Sequence, residues 1–167
     1  AWQANPAEAA HSARLDAKVS RLAELLCPAH LDIPDNFRGH TGRWETALTA
    51  MRDLNKYKAP RDKLVCVQNC CKVVNIHLLE AANSAAGSGT TPGKSISADD
   101  FLPVFIFVVV HAQVPHLYSN VHYIMRYRHP SRMVGEAAYH LTNLSSVLAF
   151  LENCSAGDFS DCGDYDA

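Results

Sequence analysis

Residues 97–110 read SADDFLPVFIFVVV, and the fold turns on whether this stretch is a helix or a strand. Two acids, Asp99 and Asp100, stand immediately before an uncharged apolar run from Phe101 to Val110. Carboxylates at the mouth of a buried element suit the positive end of a helix dipole and stay ionised there. Ser97-x-x-Asp100 has the form of a capping box. Counted from Ser97, Pro103 falls at the sixth helical position and costs a hydrogen bond. If Asp99 or Asp100 is the cap, Pro103 falls in the first turn and costs little. By propensity alone VFIFVVV is a buried strand, because it is β-branched and apolar on every side. The segments around it have helical periodicity and offer no strand partner, which favours a central helix covered on all sides.

Upstream, residues 1–12 carry no strong pattern and are expected to be a flexible N-terminal segment. From Ala13, the residues Leu15, Val19, Leu22, Leu25 and Leu26 recur at threes and fours, one face of an amphipathic helix that stops at Cys27-Pro28. Thr41 to about Tyr57 reads as a second helix with Trp44, Leu48, Met51 and Leu54 on one side. A third begins near Pro60 and places Leu64, Val67, Cys71, Val74 and Leu78 inward. The glycine-rich, small and polar residues 83–96 read as an internal flexible loop.

Downstream, a helix starting at Pro115 points Leu117, Val121 and Ile124 or Met125 inward, and His129-Pro130 ends it. Arg126 and Arg128 near its end suit the negative pole of the dipole. The last stripe is Val134, Ala138, Leu141, Leu144 or Leu148, and Leu151. Tyr139 lies about 100° off that stripe, beside Gly135, Thr142 and Asn143. Residues 154–167 read as an acidic C-terminal tail.

At 167 residues, with 48% apolar and 19% charged, the chain suits one domain with a real core. A net charge of −2 argues against nucleic acid as the main partner. The run 101–110 is too short to span a bilayer, which needs ~20 apolar residues. None of the six cysteines forms a CxxC pair and none of the nine histidines forms HxxxH or HExxH, so no metal site is expected. Buried reduced thiols are expected instead, which fits a cytosolic compartment.

Three stretches, SADDFLPV, SNVHYIMRYRHPSR and GEAAYHLTNL, occur in the order and spacing of the vacuolar-protein-sorting-nine domain. The chain resembles that family over residues 13–153, and MRDLNKYKAPRDKLVCVQNCCKVVN looks like its plant members. The resemblance implies an all-α, layered helical domain of about six helices. It implies a guanine-nucleotide exchange factor for a Rab-family small GTPase of the early-endosomal class, cytoplasmic and peripheral at endosomes, with no covalent chemistry. It implies no cofactor of the domain's own, GDP, GTP and Mg²⁺ belonging to the GTPase. Any membrane contact is expected through the partner or through other segments.

By the same resemblance Asp99 is the aspartate finger, which displaces Mg²⁺ and pairs with the P-loop lysine of the GTPase. Tyr139 is implied to hold the switch region through its hydroxyl. Pro103, Asn120 and Thr142 are implied at the partner-binding face, Asn120 in a structural or orienting role. The chain departs from the family pattern at His111-Ala112-Gln113-Val114-Pro115, at His140 where an aromatic is common, and at Ala138 where glycine is common. Two other classes compete: a non-catalytic Rab-binding scaffold of the same fold, and a thiol- or metal-dependent enzyme using Cys70, Cys71 and the histidines.

Overall fold

The computed structural model describes residues 5–35, 44–85 and 96–159. Six α-helices lie among the described residues: α1 (Pro6–Leu25), α2 (Glu45–Arg52), α3 (Pro60–Ala85), α4 (Ala98–Ala112), α5 (Leu117–Tyr127) and α6 (Glu136–Asn153). No strand is present among them. The expected all-α layered domain is therefore the observed one.

Helix α4 is the centre. It touches α1, α2, α3 and α6, and the 3₁₀ turn Pro28–Leu31 as well. Phe101, Val104, Phe105, Ile106, Val108, Val109, Val110 and Ala112 are all buried. This explains why strand propensity loses. A segment covered by helices on several sides has no neighbouring strand to take its N–H and C=O groups, and a helix satisfies those groups internally. No single helix among the described residues is long and apolar enough to cross a membrane.

Helix α1 begins at Pro6, seven residues before the apolar periodicity starts. Asn5 caps it, its Oδ1 accepting from the N–H groups of Ala7 at 2.8 Å and Glu8 at 3.0 Å, and Pro6 occupies the first helical position. Residues 6–12 are thus helical and carry contacts of their own. His11 bonds Glu152 at 2.9 Å and its ring lies 4.4 Å from that of Tyr118.

The C-terminal side also departs from expectation. Residues 156–158 form a 3₁₀ turn, and Ala156 and Phe159 pack on the core. Of the expected 83–96 loop, residues 83–85 belong to α3 and 86–95 lie outside the described residues. The second helix is shorter than its periodicity suggests, α2 giving way to a 3₁₀ turn over Asp53–Lys56. Val134 is 66% exposed rather than inward. It precedes Gly135, which caps α6 at φ +59°, so the helical stripe does not yet exist at Val134. A Cβ on Gly135 would meet nothing within 4 Å. Glycine is required there for its backbone angle and not for space.

The cysteines divide. Cys66, Cys70, Cys71 and Cys154 are free thiols, whereas Cys27 is disulfide-bonded. The expectation of reduced thiols throughout is corrected at Cys27.

Candidate functional site

Ser97 is the cap of α4. The Asp100 N–H donates to Ser97 Oγ at 3.1 Å, and Asp100 Oδ2 accepts from the Ser97 hydroxyl at 2.7 Å and from its N–H at 3.3 Å. The two acids are thereby separated by role. Asp100 closes a capping box; Asp99 is exposed and, among the described residues, its carboxylate has no hydrogen-bond or ion-pair partner. Pro103 sits inside the helix, half-buried, and has no N–H to offer the Asp99 carbonyl one turn back. The sequence therefore accepts the costlier of its two possible frames. It keeps a free carboxylate at the positive end of a helix whose remainder is locked in the core.

Helix α6, which carries Tyr139 and Thr142, packs directly on α4. Its first turn is pinned to α3 where Glu136 meets Lys72 at 3.4 Å, and Glu136 also meets His140 of its own helix at 3.5 Å. Those contacts, the one with His140 foremost, hold the Glu136 carboxyl below its usual range. His140 is buried and its Nδ1 has no partner among the described residues. Tyr139, one position earlier, is 50% exposed. Its ring meets His140 edge-on at 5.4 Å, and its hydroxyl has no partner among the described residues. Thr142 is exposed, but its hydroxyl already donates to the Ala138 carbonyl at 2.9 Å. Free polar groups are therefore available on adjacent helices at Asp99 and Tyr139, and Thr142 offers only its remaining acceptor capacity.

Asn120 does not belong to that face. It is 6% exposed. Its Oδ1 accepts from Lys63 Nζ at 2.8 Å, and its Nδ2 lies within donating distance of Asn55 Oδ1 at 2.9 Å, the His116 carbonyl at 3.0 Å and the Pro115 carbonyl at 3.3 Å. The Asn120 side chain fixes the α4–α5 turn, where Gln113 and His116 adopt positive φ. The sequence reading missed Lys63 and Asn55. Lys63 is 7% exposed and also donates to the Leu54 carbonyl at 2.9 Å. Its signal was slight, a lysine in the first turn of an amphipathic helix, on the buried side.

Burial lowers the Lys63 pKa. Its ammonium therefore costs stability at neutral pH, and that cost falls as pH rises from the lowered value towards 10.5. Asn120→Ala removes an acceptor from this ammonium and a donor from the turn. A loss of about 2–3 kcal/mol is expected, read as a lower urea midpoint with an unchanged m-value.

A thiol chemistry finds no support in geometry. Cys70 and Cys71 are fully buried. Burial pushes both thiols up, Cys71 to about 12, so neither supplies thiolate at neutral pH. No group of three or more histidine, cysteine, aspartate or glutamate side chains able to hold a metal occurs among the described residues. In native protein Cys70 and Cys71 should resist iodoacetamide at pH 8 and react once denaturant is added; mass spectrometry of the alkylated peptides checks this.

An exposed unpaired acid at a helix entry and a half-exposed tyrosine on the adjoining helix are thus held on one helical frame. The chain matches the Vacuolar sorting protein 9 (VPS9) domain over residues 44–156, and it belongs to that family. It is 43% identical over 159 residues to Vacuolar protein sorting-associated protein 9A of Arabidopsis thaliana, covering 95% of this chain and 29% of that protein. It is 39% identical over 145 residues to Vacuolar protein sorting-associated protein vps901 of Schizosaccharomyces pombe, covering 86% of this chain and 23% of that one. Against the Rab5 GDP/GTP exchange factor of Homo sapiens the identity is 36% over 135 residues, 80% of this chain and 25% of the relative. The chain thus spans less than a third of the length of each of these proteins.

Proposed function

We propose that this domain is a guanine-nucleotide exchange factor for a Rab-family small GTPase of the early-endosomal class, with Asp99 as its aspartate finger. The observation that carries the reading is the division of labour at the α4 entry, where Asp100 closes the capping box with Ser97 and Asp99 stays exposed and unpaired. The human relative is a Rab5 GDP/GTP exchange factor, which supports the partner class.

The physics is competitive. GDP is held in such a GTPase by Mg²⁺, by P-loop amides and by a lysine. A carboxylate entering that site attracts the same cations and repels the phosphates. Asp99 is exposed at the positive end of the α4 dipole, and its carboxylate is free to enter. By linkage, whatever weakens GDP binding is weakened equally by GDP, so the nucleotide-free complex is the tight one. The nucleotide and Mg²⁺ belong to the GTPase in this scheme, and the domain brings no cofactor. Its work then lies at endosomal membranes, where such a partner is anchored.

The test is release of a fluorescent GDP analogue from a panel of Rab GTPases. Acceleration on early-endosomal members, with little on others, is expected. Tight binding to a nucleotide-free Rab with no acceleration on any member would instead define a scaffold.

A further inference from the structure

A cavity of about 250 Å³ opens between the start of α3 and the end of α5, and Asp99 is not among the residues that line it. Pro60, Arg61, Tyr127, Arg128, His129 and Arg132 line it. Three arginines thus line one cavity in a chain whose net charge is −2. The neighbouring acid compensates little: Arg61 meets Asp62 only at 4.0 Å, with its own side chain 82% exposed. Arg128 turns its guanidinium onto the Arg132 carbonyl, at 3.3 Å from Nη2 and 3.4 Å from Nε. The Arg132 side chain has no hydrogen-bond or ion-pair partner among the described residues, and Lys58, two residues before Pro60, has a free ammonium by the same criterion. The first turn of α3 adds its positive pole to the same opening.

From this arrangement we infer that the cavity binds a phosphomonoester carried on a lipid headgroup at a membrane surface. Guanidinium forks match phosphate oxygens, and several arginines lining one cavity favour the greater charge of a monoester over that of a diester. Two exposed apolar side chains argue for a lipid source. Tyr127 lines the cavity and is 54% exposed; Val134, two residues beyond Arg132, is 66% exposed. Basic side chains interleaved with exposed aromatic and aliphatic ones suit the boundary between headgroups and acyl chains. Membrane contact would then come from this domain's own residues and not only from its partner. The inference stands independently of nucleotide exchange.

Vesicle co-sedimentation tests it, with phosphatidylcholine alone, with added phosphatidylinositol phosphates, and with phosphatidylserine matched for total charge. The chain should pellet with the phosphoinositide vesicles and far less with the serine lipid. Arg61→Gln combined with Arg132→Gln should weaken that binding about thirtyfold, since each arginine at an anionic surface is worth about fivefold. The double variant should melt like the parent, because both side chains are exposed, and should release GDP from a soluble GTPase at the parental rate. Equal binding to both anionic lipids, an unchanged double variant, or binding of soluble inositol phosphates without binding of vesicles would overturn the inference. So would loss of exchange on the soluble GTPase in the double variant, which would place these arginines at the protein interface.

Discussion

Asp99→Asn should release GDP from its GTPase about two to three orders of magnitude more slowly than the parent while keeping its fold. The stability side follows from the cap. Asp99 is exposed and bonds nothing among the described residues, so the change removes only a dipole contact of about 0.3–1 kcal/mol. The kinetic side follows from the partner's site. A carboxylate facing a lysine in an enclosed pocket forms a charged pair, and breaking such a pair from one side costs about 3–5 kcal/mol. At about 1.4 kcal/mol per decade this is two orders of magnitude or more. Asparagine keeps the size and one acceptor oxygen, so the effect isolates the charge. Asp100→Asn is the internal control with the opposite profile. It weakens the capping box, at about 0.5–2 kcal/mol of stability, and should leave most of the exchange. Stopped-flow GDP release beside urea unfolding reads both axes. A folded Asp99→Asn protein with parental GDP release would remove the finger from the mechanism.

How much of this was legible in the sequence depends on the kind of interaction. The helices were readable because their apolar stripes recur at threes and fours over many residues. Residues 101–110 show where that method stops. Their composition is that of a strand, and only the neighbours decide for helix, since α1, α2, α3 and α6 surround the segment. Pro6 was missed for a related reason: residues 7–10 are alanine-rich and show no stripe, although Asn5-Pro6 is itself a start signal. Val134 was placed inward by extending a period across Gly135, whose φ of +59° breaks it. The Lys63–Asn120–Asn55 network was out of reach because it joins residues 57 and 65 positions apart through single polar atoms. The choice of Ser97 over Asp99 or Asp100 as cap needed geometry too. A capping box written in sequence was compatible with two frames, and only the Ser97 bonds decide between them.

Tyr139→Ala should lower exchange efficiency far more than Tyr139→Phe, and the difference separates ring contact from hydroxyl contact. The tyrosine stands half out of the surface in the first turn of α6, on a helix that packs against the one carrying Asp99. Its hydroxyl has no partner among the described residues, so a docked GTPase could take it without breaking a bond in this chain. Phenylalanine keeps the ring and loses one hydrogen bond, worth about 0.5–1.5 kcal/mol, which is a fewfold to about tenfold loss. Alanine also removes an aromatic surface, and aromatic anchors at the centre of an interface cost about 2–4 kcal/mol when truncated. Neither change should unfold the domain, because the first turn is held by Glu136 through Lys72 and His140 and by the Gly135 cap. Asp99 and Tyr139 would act on different parts of one partner in a single intermediate. Once either is lost that intermediate is less populated, so the double mutant should lose less than the sum of the single losses. The measurement is the exchange rate titrated against the concentration of each variant, with melting curves alongside. A Tyr139→Ala protein of parental efficiency and normal melting would place the residue outside the interface and leave Asp99 to act without it.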